Sequence, residues 1–224
     1  MKNLAIIMSG GTGTRLNSDV PKQLMKIGDK SLLEISISVF QEHAGIDTIF
    51  IVSHKDLLDR TKELVKIKNF SKVEKIISGG DTRQHSSTNG VNESSEIHEN
   101  ILIHDSARPF VSSDVISSVL FALKKAEAVT PVIDSSDTLV STDANGLLNK
   151  YLARKMIKRV QTPQGFKRKV ILKAHQMAGK DHKEDFTDDC SMIIYFGLAE
   201  VKLVAGDQKN IKITYFEDLK NLNG

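Results

Sequence analysis

Five consecutive apolar residues, Leu4-Ala5-Ile6-Ile7-Met8, run directly into Ser9-Gly10-Gly11-Thr12-Gly13-Thr14-Arg15, and this junction restricts the fold more than any other stretch. An apolar run without polar alternation belongs to a strand covered on both faces, as in the parallel sheets of α/β proteins. Glycines placed directly after such a strand let bare backbone N–H groups approach a ligand closely. Two well-known phosphate loops are excluded by spacing. A P-loop requires four residues between its first glycine and Gly-Lys-Ser/Thr, and a dinucleotide fingerprint requires a small residue where this chain has Leu16. An ordinary strand-to-helix turn would explain the glycines but not the cations that follow. Arg15 brings a forked guanidinium and Pro21-Lys22 an ammonium on a rigid turn, so the stretch points to a bound nucleoside triphosphate.

The same rhythm recurs along the chain. Ser31-Leu32-Leu33-Glu34 has capping-box spacing and opens a helix over 31–42. A buried strand over 48–53 and a helix over 55–66 follow, then a strand over 73–78 running into Gly79-Gly80-Asp81-Thr82-Arg83-Gln84 and a helix to Asn92. A strand over 101–105 ends at Asp105-Ser106-Ala107-Arg108-Pro109. Three strands thus finish in polar loops, and ligands of open α/β sheets bind beyond the carboxyl ends of the strands. A helix over 113–126 and a strand over 127–133 complete the core. Helices near 168–178 and 188–196, a strand at 200–204 and a short helix after Thr214 close the chain.

Between them, residues 137–158 alternate apolar and polar around Asn145-Gly146, the signature of a hairpin with a two-residue turn. Such a hairpin cannot bury its own faces, so it reads as a protruding arm covered by a second subunit. At 224 residues the chain has the size of one well-buried domain, 1–224. Lys and Arg total 31 against 28 acidic residues, a net +3, too small an excess to argue for nucleic acid. One cysteine, Cys190, leaves no internal disulfide and fits a reducing cytoplasm. No run has the length of a membrane span.

Taken together, Ser9 to Leu16, Pro21-Lys22-Gln23, Gly79 to Ser86, His104 to Phe110, Asp137-Thr138, Gln161 to Phe166, Thr187-Asp188-Asp189 and Asn210 to Thr214 resemble the motif series of the 2-C-methyl-D-erythritol 4-phosphate cytidylyltransferases. The likeness covers residues 4 to 220. It implies a nucleotidyltransferase fold, Rossmann-like and mostly parallel with helices on both faces, that moves a cytidylyl group from CTP to a polyol phosphate with Mg2+. By that resemblance Arg15, Lys22 and Asp105 are catalytic, with Asp105 also the metal ligand. CTP would be held by Ser9, Gly10, Gly11, Thr12, Gly13, Thr14, Gly79, Gly80, Asp81, Ser86 and Ser106, with Arg83 bracing the loop. The acceptor phosphate would meet Thr138, Arg154, Thr162, Thr187 and Lys212, with Arg154 supplied by the arm of the other subunit of a homodimer.

Other features leave the acceptor open. Ser9-Gly10-Gly11 stands where the methylerythritol enzymes usually show Ala-Ala-Gly, and it is closer to the ribitol 5-phosphate branch. Thr82-Arg83-Gln84 and Thr187-Asp188-Asp189 are closer to the methylerythritol branch, and Leu152-Ala153-Arg154-Lys155 matches neither. A nucleotide-binding regulator without activity is a further alternative, opposed by the presence of Arg15, Lys22, Asp105, Arg154 and Lys212. His104, His85 and Cys190 read as structural. Capping alone would also explain Thr187 as an N-cap with Asp188 and Asp189 in the first turn, and Glu184 to Asp189 reads, apart from the threonine, as an acidic surface run.

Overall fold

The computed structural model describes residues 2–11, 21–215 and 217–219. In chain order the elements are β1 (Lys2–Ser9), β2 (Lys26–Ile27), β3 (Lys30–Ser31), α1 (Leu32–Glu42), β4 (Thr48–Ser53), α2 (Leu58–Ile67), β5 (Val73–Ser78), α3 (Arg83–Asn92), β6 (His98–Asp105), α4 (Ser113–Ala122), β7 (Ala128–Asp134), β8 (Val140–Thr142), β9 (Leu148–Tyr151), β10 (Lys158–Val160), β11 (Gln164–Lys167), α5 (Arg168–Lys180), α6 (Asp189–Tyr195) and β12 (Val201–Ala205).

One mixed sheet organises them. β10, β7, β11, β6, β1, β4 and β5 lie side by side in that order, and β12 pairs with β7. β6, β1, β4 and β5 are mutually parallel. The parallel half expected from the apolar runs is therefore present, and it carries the glycine loop of β1 between two neighbours. Successive residues of β1 face opposite layers, as strand pleating demands. Leu4, Ile6 and Met8 pack with α3, α5 and α6 through Val91, Ile171 and Ile193. Ala5 and Ile7 pack with α1 and α4 through Ile37, Phe40 and Ile116.

β11 is an element the sequence pattern does not reveal. Its four residues follow a proline and are too few to show a period, yet they wedge antiparallel between β6 and β7, pairing Gln164 with Ile103 and Gly165 with Val129. A side chain on Gly165 would lie 2.5 Å from Val119 Cγ1, so α4 can close onto the sheet only over glycine there. α4 itself ends at Ala122, four residues before the expected boundary. Among the described residues no helix is long and apolar enough to cross a membrane.

Helix starts follow the side chains that can cap them. Ser31 Oγ accepts from Glu34 N at 3.2 Å, while the Glu34 carboxylate pairs with Lys68 at 2.8 Å. Only half of the expected capping box is therefore used. Thr82 Oγ1 accepts from His85 N at α3 and Asp188 Oδ1 from Ser191 N at α6.

The arm is a two-stranded ribbon, β8 with β9, paired to no other strand among the described residues. Its turn is not the two-residue type that Asn145-Gly146 signals. Asp143 N donates to Leu147 O and Gly146 N to Asp143 O, which leaves Ala144, Asn145 and Gly146 in a three-residue loop with Gly146 at φ +80°. The cause is Asp143, whose carboxylate accepts from both Asn145 N and Leu147 N and fixes an ordinary turn followed by a left-handed glycine.

Candidate active site

The loops after β1, β4, β5 and β6 meet because each continues its strand's ladder for one more step. Ser106 N donates to Met8 O, His54 N to Ser9 O and Gly79 N to Ser53 O. They enclose a cleft of about 480 Å3 at the carboxyl edge of the parallel strands, the position that doubly wound sheets use for ligands. Ser9, Gly10, Gly11, Lys22, Gly79, Gly80, Asp81, Ser86, Asp105, Ser106 and Lys212 line it, so most of the residues singled out from sequence converge. Thr12, Gly13, Thr14 and Arg15 lie outside the described residues.

Close packing shapes the glycine walls. A Cβ on Gly10 or on Gly79 would fall 3.0 Å from Ser86 Oγ. That hydroxyl accepts from Gly80 N at 3.1 Å and donates to Gly80 O at 3.3 Å. The two loops therefore touch through glycine, and Ser86, packed against both, is hydrogen-bonded to the Gly80 side. Gln23 fastens the other rim: its amide nitrogen donates to Ser9 O at 2.8 Å and to Gly11 O. Lys22 opens the short 3-10 turn Lys22–Leu24 behind Pro21, which carries it into the lining.

Asp105 ends β6 with both carboxylate oxygens faced by cations. Lys212 Nζ donates to Oδ2 at 2.7 Å, and Arg83 Nε lies 3.5 Å from Oδ1. Burial would raise its pKa, but Arg83 and Lys212 outweigh that and hold the carboxyl well below the usual range. Burial would likewise strip the Arg83 proton, and Asp189 and Asp105 reverse it, so the guanidinium stays charged.

Beneath the floor, His104 is fully buried. Burial pushes its pKa down to about 4, so the ring is neutral at pH 7. Its Nε2 donates to Arg108 O at 3.1 Å, and its Nδ1 accepts from Thr162 Oγ1 at 2.9 Å. The structural reading of His104 agrees with this placement.

Four residues expected at the acceptor phosphate lie off the cleft lining. Thr162 is buried under the cleft, its one hydroxyl hydrogen committed to His104 while its oxygen accepts from Asp105 N at 3.2 Å. Its visible part is to fix the Asp105 backbone. Thr138 and Arg154 are exposed on the arm and bonded to each other, Nη2 to Oγ1 at 3.3 Å. Thr187 is exposed ahead of α6. None of the four lines this chain's cleft.

Sequence reasoning missed His54 and Lys55, which enter the lining from the end of β4. The signal available was their place directly after an apolar run that finishes at the same sheet edge. It also took Thr187 for the cap of α6 and Asp189 for a surface residue of its first turn. Asp188 is the cap, and Asp189 is fully buried against Arg83, 2.9 Å from Nη2.

Comparison with known proteins agrees with this geometry. Residues 3–223 match the family described as 2-C-methyl-D-erythritol 4-phosphate cytidylyltransferase. The chain is 36% identical over 224 residues to the protein of that name from Clostridium tetani, covering 97% of this chain and 87% of that protein. A bifunctional ribulose 5-phosphate reductase/CDP-ribitol pyrophosphorylase from Haemophilus influenzae is 36% identical over 97% of this chain, which spans 47% of it. The crystal structure of 4-diphosphocytidyl-2C-methyl-D-erythritol synthase from Anaerococcus prevotii superposes with a TM-score of 0.88 and 29% identity, covering 99% of this chain and 94% of that one.

Proposed function

Because the chain belongs to the 2-C-methyl-D-erythritol 4-phosphate cytidylyltransferase family, we propose that its cleft transfers the cytidylyl group of CTP to the phosphate of 2-C-methyl-D-erythritol 4-phosphate, releasing pyrophosphate. The observation that carries the reading is the lining itself. A glycine wall, Lys22 and the Asp105–Lys212 pair face one cleft at the sheet's carboxyl edge. An oxygen of the acceptor phosphate attacks the α-phosphorus, and the bond from that phosphorus to the oxygen of the leaving pyrophosphate breaks. The acceptor is already ionised, so no protein base is required, which suits a neutral His104 held out of the cleft.

What the chain must supply is charge complementarity that grows as the bonds exchange. Lys22, with Arg15, serves the triphosphate and the charge developing at the α-phosphate. Gly10, Gly11, Gly79 and Gly80 let backbone approach the nucleotide, at Gly10 and Gly79 where a Cβ would press on Ser86 and at Gly80 where it would meet His85, and Asp81 and Ser106 complete its lining. Lys212 reaches from the Asp105 side toward the acceptor phosphate. Among the described residues no group of three or more His, Cys, Asp or Glu is placed to hold a metal. Two carboxylates, Asp81 and Asp105, line the cleft, which fits Mg2+, an ion held by one or two carboxylates and otherwise by substrate phosphates. Asp105 would be its protein ligand, and a bound Mg2+ would neutralise phosphate charge.

Thr138 and Arg154 lie together on an arm that leaves its own subunit's cleft unserved, and this supports an acceptor pocket completed across a homodimer. Lys22→Ala and Arg154→Ala would then damage different halves of each shared site. With the acceptor far below its KM, where Arg154→Ala is also nearly inactive, an equal mixture gives half heterodimers with one intact site of two, so about a quarter of wild-type activity should return after subunit exchange. No recovery in proven heterodimers would place Arg154 in cis.

Ribitol 5-phosphate is the second reading, favoured by Ser9-Gly10-Gly11 and by the Haemophilus relative. Pyrophosphate release with CTP, Mg2+ and each acceptor separates them. We expect kcat/KM for methylerythritol phosphate to exceed that for ribitol 5-phosphate at least tenfold. The reverse order would sink the first reading.

A further inference from the structure

Behind Asp105 stands a second carboxylate that the cleft does not expose. Asp189, the first residue of α6, is fully buried. Ser87 Oγ donates to its Oδ1 at 2.6 Å, and Arg83 Nη2 lies 2.9 Å from its Oδ2. The same guanidinium presents Nε to Asp105 Oδ1 at 3.5 Å, and Asp105 Oδ2 holds Lys212 at 2.7 Å. Charge therefore alternates from the α5–α6 layer into the cleft, with Arg83 spanning two carboxylates.

Asp189 has no capping duty that would explain it. Asp188 caps α6, and the backbone N–H groups of Asp189 and Cys190 both go to Gln164 Oε1. His175, itself fully buried, places Nε2 3.4 Å from Asp189 Oδ1. A buried carboxylate is costly unless paired and hydrogen-bonded. The cation it pairs with is one whose other end reaches the catalytic cleft.

We infer that Asp189 is a positioning residue for the transfer: by holding one end of the Arg83 guanidinium, it sets how the other end meets Asp105 and leaves Oδ2 of Asp105 to Lys212. The physical reason is the fork of arginine, which takes a single carboxylate through two parallel N–H donors when only one is available. Without the Asp189 charge, Arg83 turns both donors onto Asp105 and displaces Lys212, the cation assigned to the acceptor phosphate. This inference rests on the cytidylyl-transfer reading. It separates Asp189 from the nucleotide wall, which Gly80, Ser86 and Gln23 hold without it.

The decisive variant is Asp189→Asn, which keeps the volume and the Ser87 hydrogen bond and removes the charge. We expect kcat to fall at least tenfold while the Kd for CTP, read by calorimetry, stays within threefold of wild type. In an Arg83→Met background the same substitution should cost less than a further threefold, because the coupling is already gone. A merely structural role would instead multiply the two losses. A kcat within threefold of wild type, or independent losses, overturns the inference. If Asp189→Asn does not fold, Ser87→Ala loosens the same carboxylate, and an unchanged kcat there overturns it equally. Should the wild-type protein release no pyrophosphate from CTP with either polyol phosphate, the functional reading fails. The coupling is then read from crystals of Asp189→Asn, upheld if Arg83 has turned onto Asp105 and overturned if it has not moved.

Discussion

At the carboxyl edge of the sheet, Ser9, Ser86, Ser106 and Gln23 are all buried, and backbone bonds such as Ser106 N to Met8 O and Gly79 N to Ser53 O, with Gln23 on Ser9 O, fasten the loops to one another. On the arm, Tyr151 is 65% and Met156 81% exposed, and the ribbon pairs with no other strand among the described residues. The edge is built in advance, since charge complementarity serves a transition state only if little needs to reorganise. The arm exposes apolar side chains and has no strand neighbour among the described residues, and a lone hairpin is marginal in water. One region should therefore answer to mutation in kcat and in global stability, the other in acceptor KM and in local opening.

The sharpest test of that division is Lys22→Ala. If Lys22 acts on charge that grows in transfer, kcat falls by two to three decades, about 2.7–4 kcal/mol for one lost donor, with the unfolding midpoint unchanged. A loss under tenfold would remove Lys22 from the transition state and blur the contrast with the arm.

Acid should separate the regions next. The folded pKa of His104 is about 4 against an ordinary 6.5. The unfolded chain therefore takes up a proton over that interval that the folded chain refuses, and stability falls as pH drops from about 6.5 to 4. By pH 5 this amounts to about 2 kcal/mol. His43 and His98 are also lowered, chiefly by burial, and add to the slope. Asp105 and Asp189 are held low by cations and begin to lose their contribution only below about pH 4. Urea unfolding at pH 7.5 and pH 5 measures the difference, and His104→Gln should shrink it. Equal stability at the two pH values would contradict the neutral, buried ring.

Arg154→Ala comes third. It should raise KM for the polyol phosphate about tenfold, roughly 1.4 kcal/mol, and leave KM for CTP within a factor of two. A matching rise in both would tie the arm to the nucleotide.

The two regions were also unequally legible in the sequence. The parallel half was readable because β1, β4 and β6 are buried on both faces and so carry unbroken apolar runs, and the ligand edge followed from where those runs stop. Asp189 was not, since Glu184 to Asp189 has the composition of a solvated surface, and its burial is decided by Arg83, a partner far away in sequence. Thr162 was visible as a motif residue, yet its hydroxyl is consumed by His104 and the Asp105 backbone, a commitment that only the fold reveals. In the arm, Asn145-Gly146 indicated a turn correctly and its length wrongly, because the choice lay with the side chain of Asp143.

That turn gives the smallest effect and the cleanest contrast. Gly146 sits at φ +80° with nothing within 4 Å of a Cβ built on it, so Gly146→Ala adds no collision and costs only the left-handed conformation, about 1 kcal/mol. Gly90 of α3 has ordinary helical geometry, but a Cβ there would meet Ile6 Cγ2 and Val52 Cγ2 at 2.9 Å, so Gly90→Ala must shift the core between helix and sheet. If the arm opens on its own, Gly146→Ala speeds hydrogen exchange at Asp143 N and Leu152 N, which bond across the ribbon to Leu147 O and Leu139 O, by about fivefold, the factor that 1 kcal/mol represents. The urea midpoint of the whole protein should stay where it was. Gly90→Ala should do the reverse, lowering the midpoint and leaving exchange in the arm unchanged. A midpoint that drops as far for Gly146→Ala as for Gly90→Ala would mean that arm and core melt as one unit, and the division between a prebuilt edge and an independent arm would fall with it.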